Sequence, residues 1–115
     1  MTVSITLPRG DGAVSFDAIV ASSLRERTRG LLGRPPLRDG QALILPRTHQ
    51  IHTVGMRYAI GVVFCDERWV VVRVCRSMAP MRVTRWVVRA RWAIEFPAGT
   101  VGSLQVGDRL VVSGL

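Results

Sequence analysis

Lysine is absent from these 115 residues; all sixteen basic side chains are arginine. With only eight acidic residues to set against them, the formal net charge is +8. A balance of this sign ordinarily points to nucleic acid, because clustered cations displace condensed counterions from phosphates. The arginines, however, are scattered from Arg9 to Arg109, and the tightest grouping, Arg25, Arg27 and Arg29, alternates with other residues. A coding bias toward arginine and a generally basic surface account for that spread, so nucleic acid is not expected as a partner.

Long apolar runs are missing as well. Apolar residues make up 48% of the chain but arrive in bursts such as Val62-Val63-Phe64 and Val70-Val71-Val72, and none reaches the ~18 residues that a membrane-spanning helix needs. The amino-terminal stretch has no basic region followed by an apolar core and a small-residue cleavage site, so a cytoplasmic location is expected. Two cysteines, Cys65 and Cys75, are too few for a disulfide framework. The residues contain no Gly-rich phosphate loop, no G-x-G-x-x-G between strand and helix, no G-x-S-x-G elbow and no cysteine pairs at zinc spacing. No cofactor is therefore implied. His49 and His52 would face one way in a helix, but Arg47 to Gly55 is not helical by pattern and lacks a third ligand, so no metal site is expected. The aspartates Asp11, Asp39, Asp66 and Asp108 fall in predicted turns, which explains them.

What is present is alternation. The length suits one domain, residues 1–115, around one hydrophobic core. Val3 to Leu7 and Ala13 to Val20, separated by Gly10-Asp11-Gly12, read as an opening hairpin. Ser23-Leu24-Arg25-Glu26 has capping-box spacing, and Leu24, Arg27 and Leu31 share a stripe, predicting one main helix over about residues 23–33 that stops at Gly33 and Pro35-Pro36. Ala42 to Leu45 is a short strand. The segment around Ile60 to Val74 predicts a second hairpin with its turn centred on Glu67. That register sets Phe64 opposite Val70, Val62 opposite Val72 and Ile60 opposite Val74 on a core face, with Gly61, Val63, Val71 and Arg73 on a mixed face. It also sets Cys65 opposite Trp69 and Cys75 opposite Ala59, beyond disulfide reach. Trp92-Ala93-Ile94-Glu95-Phe96 alternates with Trp92, Ile94 and Phe96 inward; Gly99 to Gln105 reads as a short helical turn and Arg109 to Ser113 as the last strand. About seven short strands and one helix make a mostly β (α+β) chain, a compact sandwich or open barrel. Met78-Ala79-Pro80-Met81, with Trp86 beyond, is an apolar loop that either covers one end of the barrel or, if exposed, contacts a partner or membrane edge.

Four stretches carry a family resemblance: Glu26-Arg27-Thr28-Arg29-Gly30-Leu31-Leu32-Gly33-Arg34, Ile51-His52-Thr53-Val54-Gly55-Met56-Arg57, Val62-Val63-Phe64 and Ile94-Glu95-Phe96-Pro97-Ala98-Gly99. In this order and at similar spacing they resemble the bacterial and archaeal family called domain of unknown function 192 (DUF192), over about residues 18 to 113. The resemblance implies a compact β sandwich or barrel with one main helix and no established activity. Where the family commonly has Pro-Ile-Asp before the strand, this chain has Ala59-Ile60-Gly61, so any role of that carboxylate is lost here. Many relatives look exported, whereas no leader is read here.

The family's motif positions fall on Arg27, Gly30, Leu31, His52, Met56, Arg57, Glu95 and Gly99. Of these, Gly30, Leu31, Met56 and Gly99 suit structural roles. The polar set Arg27, His52, Arg57 and Glu95 is the candidate ligand-binding site, with Glu95 orienting an arginine fork; a buried structural ion pair explains the same residues. The leading expectation is a non-catalytic binding or accessory module for a partner protein or a small anionic ligand, acting as a monomer. A small hydrolase or lyase with His52 as general base and Arg57 holding an anion is the second reading. A nucleic-acid-binding small barrel that stacks bases on Trp69 or Trp86 is the third.

Overall fold

In the computed structural model, which describes residues 3–9 and 12–115, the alternating stretches become strands β1 (Val3–Arg9), β2 (Gly12–Val20), β3 (Gln41–Pro46), β4 (Ile60–Cys65), β5 (Val71–Met78), β6 (Trp92–Pro97) and β7 (Val111–Ser113), with one helix, α1 (Leu24–Arg29). All seven strands lie in one sheet, in the order β5-β4-β6-β3-β2-β1-β7. Of the two expected architectures the open barrel forms. Its outer strands approach each other at one end: the Leu110 N–H donates to the Trp69 carbonyl at 3.0 Å, and the Val71 N–H donates to the Asp108 carbonyl at 2.8 Å. These bonds occupy part of the β5 edge, which would otherwise present unpaired backbone groups.

The curl gives the sheet an enclosed face and an outer face, and both are buried over the central strands. On the enclosed side Val3, Ile5 and Leu7 of β1 meet Phe16, Ala42, Val63, Ile94 and Phe96. On the outer side Leu43, Leu45, Ile60, Val62, Phe64 and Ala93 pack beneath Leu31 and Ile51. β2 and β3 pair in parallel, Asp17 opposite Gln41 and Val20 opposite Ile44. Parallel neighbours need a crossover connection, and α1 with the loop that follows it supplies one, which lays Leu31 over the outer face.

The β4–β5 hairpin departs from the expected register. Phe64 faces Arg73, Val63 faces Val74 and Val62 faces Cys75. The displacement comes from the turn. Asp66 accepts on its carboxylate from the Arg68 and Val70 N–H groups at 2.8 and 3.1 Å, and Trp69 takes a left-handed φ of 63°. The loop is thereby longer than one centred on Glu67, and irregularities within the ladder shift it again. The one-sided core expected for this hairpin is also corrected. β4 is a central strand, and its two faces pack into opposite cores, Val63 and Cys65 into the enclosed one and Ile60, Val62 and Phe64 into the outer one, so every one of its residues is buried, as expected of strands covered on both faces. Cys65 belongs to the enclosed core and Cys75 packs against the outer one; both thiols are free.

The helix is shorter than expected, ending at Arg29 with Gly30 as its cap rather than at Gly33. Its start follows the capping logic, the Ser23 hydroxyl accepting from the Glu26 N–H at 3.0 Å, but the Glu26 carboxylate accepts from that hydroxyl at 3.1 Å instead of reaching the Ser23 amide. Leu24 is 71% exposed, so the stripe breaks at its first member. Residues 99–105 form turns, not a helical turn, and β7 begins at Val111, with Arg109 in an isolated bridge to Val70. The Gly10-Asp11 turn lies outside the described residues, and the hairpin it joins is paired from Arg9 opposite Gly12 to Val3 opposite Ala18.

Candidate functional site

Alternation along β6 sends Ile94 and Phe96 to the enclosed core with Trp92 packed against them, and so turns Glu95 toward the outer face. The side chain of Glu95 is 3% exposed. Burial pushes its carboxyl up to about 7, against the opposing pull of a hydrogen bond from the Leu31 backbone N–H and of the Arg34 charge. Gly30 is what lets the carboxyl sit there. A Cβ on Gly30 would come within 2.5 Å of Glu95 Oε1, and its backbone has a φ of +53°, a conformation costly for a side-chain-bearing residue. The early end of the helix and the placement of the buried acid are therefore one structural event.

Glu95 borders a cavity of about 210 Å³ whose walls include Arg27 from α1 and Gln50 and His52 from the loop before β4. Three of the four residues singled out by sequence thus converge from distant segments. Arg27 donates from one terminal nitrogen to the Pro46 carbonyl at 3.3 Å, while its Nε is buried with no hydrogen-bond partner. His52 is exposed. Arg57 does not line this cavity. It borders a neighbouring groove of about 770 Å³ together with Arg34, Pro36 and Tyr58, and Leu31, Leu32 and Met56 wall both spaces. The Arg34 charge, from the wall of that neighbouring groove, also reaches Glu95 and favours its ionised form.

Arg34 and Tyr58 are the residues that sequence reasoning missed. Arg34 has a buried, unpartnered Nε. Tyr58 donates its hydroxyl to the Arg34 carbonyl at 3.2 Å, and burial and the Glu95 charge both raise its pKa. Arg34 closes the first family motif and Tyr58 directly follows the second, so the signal lay at the motifs' edges. Those motifs also touch: a Cβ on Gly55 would sit 2.9 Å from Leu32 Cδ1. The departure at Gly61 is steric as well as chemical, since a Cβ there would lie 3.3 Å from the Arg76 carbonyl oxygen.

The other histidine is used structurally. A ring nitrogen of His49 lies 3.0 Å from the Val87 carbonyl, and the ring stacks on Trp86 at 4.9 Å. Trp69 stacks on Trp92 at 4.4 Å, so of the two rings expected to be open to bases, Trp86 is the one left largely exposed, at 61%. Among the described residues no three His, Cys, Asp or Glu side chains gather as a metal site, and no helix is long and apolar enough to cross a membrane.

A half-barrel of seven strands, with a crossover helix ending over a buried carboxyl, defines the class of protein. The chain belongs to the family of uncharacterised proteins grouped as domain of unknown function 192, whose sequence profile it matches over residues 5–112. Two crystal structures share its fold. One is a protein of unknown function from Novosphingobium aromaticivorans DSM 12444, with 17% identity and a TM-score of 0.83, covering 96% of this chain and 84% of that one. The other, from Sinorhizobium meliloti 1021, is described as a "putative transcription regulator", with 17% identity and a TM-score of 0.84, covering 100% of this chain and 96% of that one. No curated protein matches.

Proposed function

We propose that the chain is a non-catalytic binding module that holds a small anionic molecule against Arg27 and Glu95, with Arg34 and Arg57 at the adjoining groove. The observation that carries this reading is Arg27 on the wall of the Glu95 cavity, its Nε buried and without a hydrogen-bond partner. A buried donor left unmatched costs about 1–3 kcal/mol, and a carboxylate or phosphate oxygen placed beside it removes that cost with a charge-assisted bond. With its carboxyl pushed up to about 7, Glu95 near neutral pH is divided between two forms. Protonated, it donates to the bound anion; ionised, it repels it. The cavity of about 210 Å³ suits the anionic end of the ligand, and the larger groove receives the rest.

Titration calorimetry with inorganic phosphate, sulfate and a series of mono- to tricarboxylates tests the reading. One class is expected to release heat saturably, and Arg27→Gln to weaken it at least about tenfold, the loss of one charge-assisted bond. The absence of binding by every anion in the series defeats the proposal. A hydrolase or lyase built on His52 draws less support: His52 borders the Glu95 cavity, but Arg57, which that reading needs to hold the anion, borders the neighbouring groove instead.

A further inference from the structure

From Arg68 to Ile94 the chain carries seven arginines, Arg68, Arg73, Arg76, Arg82, Arg85, Arg89 and Arg91, and no acidic residue. Inside this stretch, Met81, Val83, Trp86 and Val88 are 64, 62, 61 and 77% exposed. They are held in that state by hydrogen bonds. The loop that carries them is zipped antiparallel to residues 49–53: the Val87 N–H donates to the His49 carbonyl, the Thr84 N–H to the Ile51 carbonyl and the Thr53 N–H to the Arg82 carbonyl, each at 2.8 Å. Thr84 is buried, its hydroxyl accepting from the Ile51 N–H at 3.0 Å, so the neighbouring Val83 and Arg85 are turned outward. Trp86 and Val88 border one shallow depression with Arg73, Arg85 and Arg89. Apolar and cationic groups are therefore contiguous on a braced ribbon.

The geometry points to a peripheral membrane-docking surface: this ribbon seats on an anionic lipid bilayer, with Val83, Trp86 and Val88 entering the interfacial layer and Arg82, Arg85 and Arg89 on headgroup phosphates. Large apolar side chains left in water mark interaction sites. Tryptophan is suited to the polar–apolar boundary, arginine lays its stem along apolar surface while keeping its head among phosphates, and basic residues gain from the negative surface potential. Charge selects among the possible occupants. A second copy of this chain would set like charges against each other. A nucleic acid would use stacking rings, yet Trp69 and Trp92 stack on one another, and exposed valines have no stacking face. Side chains that stand three-fifths or more clear of their neighbours suit a yielding lipid phase better than a fitted protein pocket.

Co-sedimentation of the full chain with vesicles tests this, using pure phosphatidylcholine and phosphatidylcholine mixed with phosphatidylglycerol. Binding is expected to the mixed vesicles alone and to weaken with added salt. Arg85→Ala with Arg89→Ala should lower partitioning roughly 30-fold, about fivefold for each arginine. Trp86→Ser with Val88→Ser should lower it by at least about tenfold through lost apolar burial. Arg27→Gln, in the cavity assigned above, should leave it unchanged, which separates this inference from that one. Unchanged melting curves show that the surface variants fold. Failure to sediment with mixed vesicles overturns the proposal, as does binding that survives loss of Trp86 and Val88, or tighter binding to a single-stranded oligonucleotide or polyglutamate than to vesicles.

Discussion

Replacing Glu95 by glutamine removes a charge while keeping the shape of the side chain and an oxygen to accept from the Leu31 N–H. A glutamate in the unfolded chain titrates near 4.5, and in the folded protein burial pushes it up to about 7. The folded state therefore holds this proton more tightly. The corresponding stabilisation is complete below pH 4.5 and is lost as pH rises through 7. From 4.5 to about 7 is a gap of about 2.5 pH units, which at 1.36 kcal/mol per unit amounts to about 3 kcal/mol between pH 4 and pH 8. Glutamine does not titrate, so the variant lacks this slope. Relative to wild type, Glu95→Gln should gain about 3 kcal/mol on going from acid to pH 8, or about 10 °C in melting temperature for a chain of this size. Calorimetric melts of both proteins from pH 4 to pH 8 measure the difference directly and cancel every other titrating group. A flat difference across that range refutes the reasoning. A difference of opposite sign would mean that an arginine pairs with the carboxylate strongly enough to offset its burial.

Gly30→Ala should cost at least about 2 kcal/mol by denaturant unfolding, combining backbone strain with collision on Glu95, while Gly99→Ala, at positive φ with nothing near its Cβ, should cost about 1 kcal/mol; equal costs would remove the role given to Gly30. Val62→Ala and Val63→Ala should each destabilise by roughly 2 kcal/mol, because the two side chains sit in opposite cores of a strand covered on both sides; a near-neutral Val63→Ala would restore the one-sided hairpin. Anion affinity at the Arg27 cavity should fall as pH rises through about 7, approaching tenfold per unit, as Glu95 ionises; calorimetry at pH 6 and pH 8 reads this, and pH-independent affinity would separate Glu95 from the ligand.

Much of the fold was legible because its signals are local. Alternation in Val3 to Leu7 and in Trp92 to Phe96 places Val3, Ile5, Leu7, Ile94 and Phe96 in the enclosed core with Trp92 packed against it, but it does not disclose that Ala93 and Glu95 on the opposite face are buried as well. The Ser23 cap is set by residues three apart. The hairpin register was not legible in the same way, because it depends on the turn: the Asp66 side chain captures two backbone N–H groups and Trp69 adopts a left-handed conformation. Nor does the run Ile60 to Cys65 disclose that it is central. Unbroken apolar residues are compatible with several environments, and only the layers packed on both faces of the sheet make it one in which no face meets water.

The candidate site divides along the same line. The family resemblance nominated Arg27, His52, Arg57 and Glu95, the polar side chains among the positions its motifs mark. The parallel β2–β3 crossover brings α1 over β6, joins Arg27, His52 and Glu95 at one cavity and leaves Arg57 in the next. Chain order and side-chain chemistry are properties of the string of residues, fixed before folding. Burial, and with it the raised proton affinity of Glu95, arises only when segments about 65 positions apart, Gly30 and Glu95, close on each other and exclude the water that would have solvated the charge.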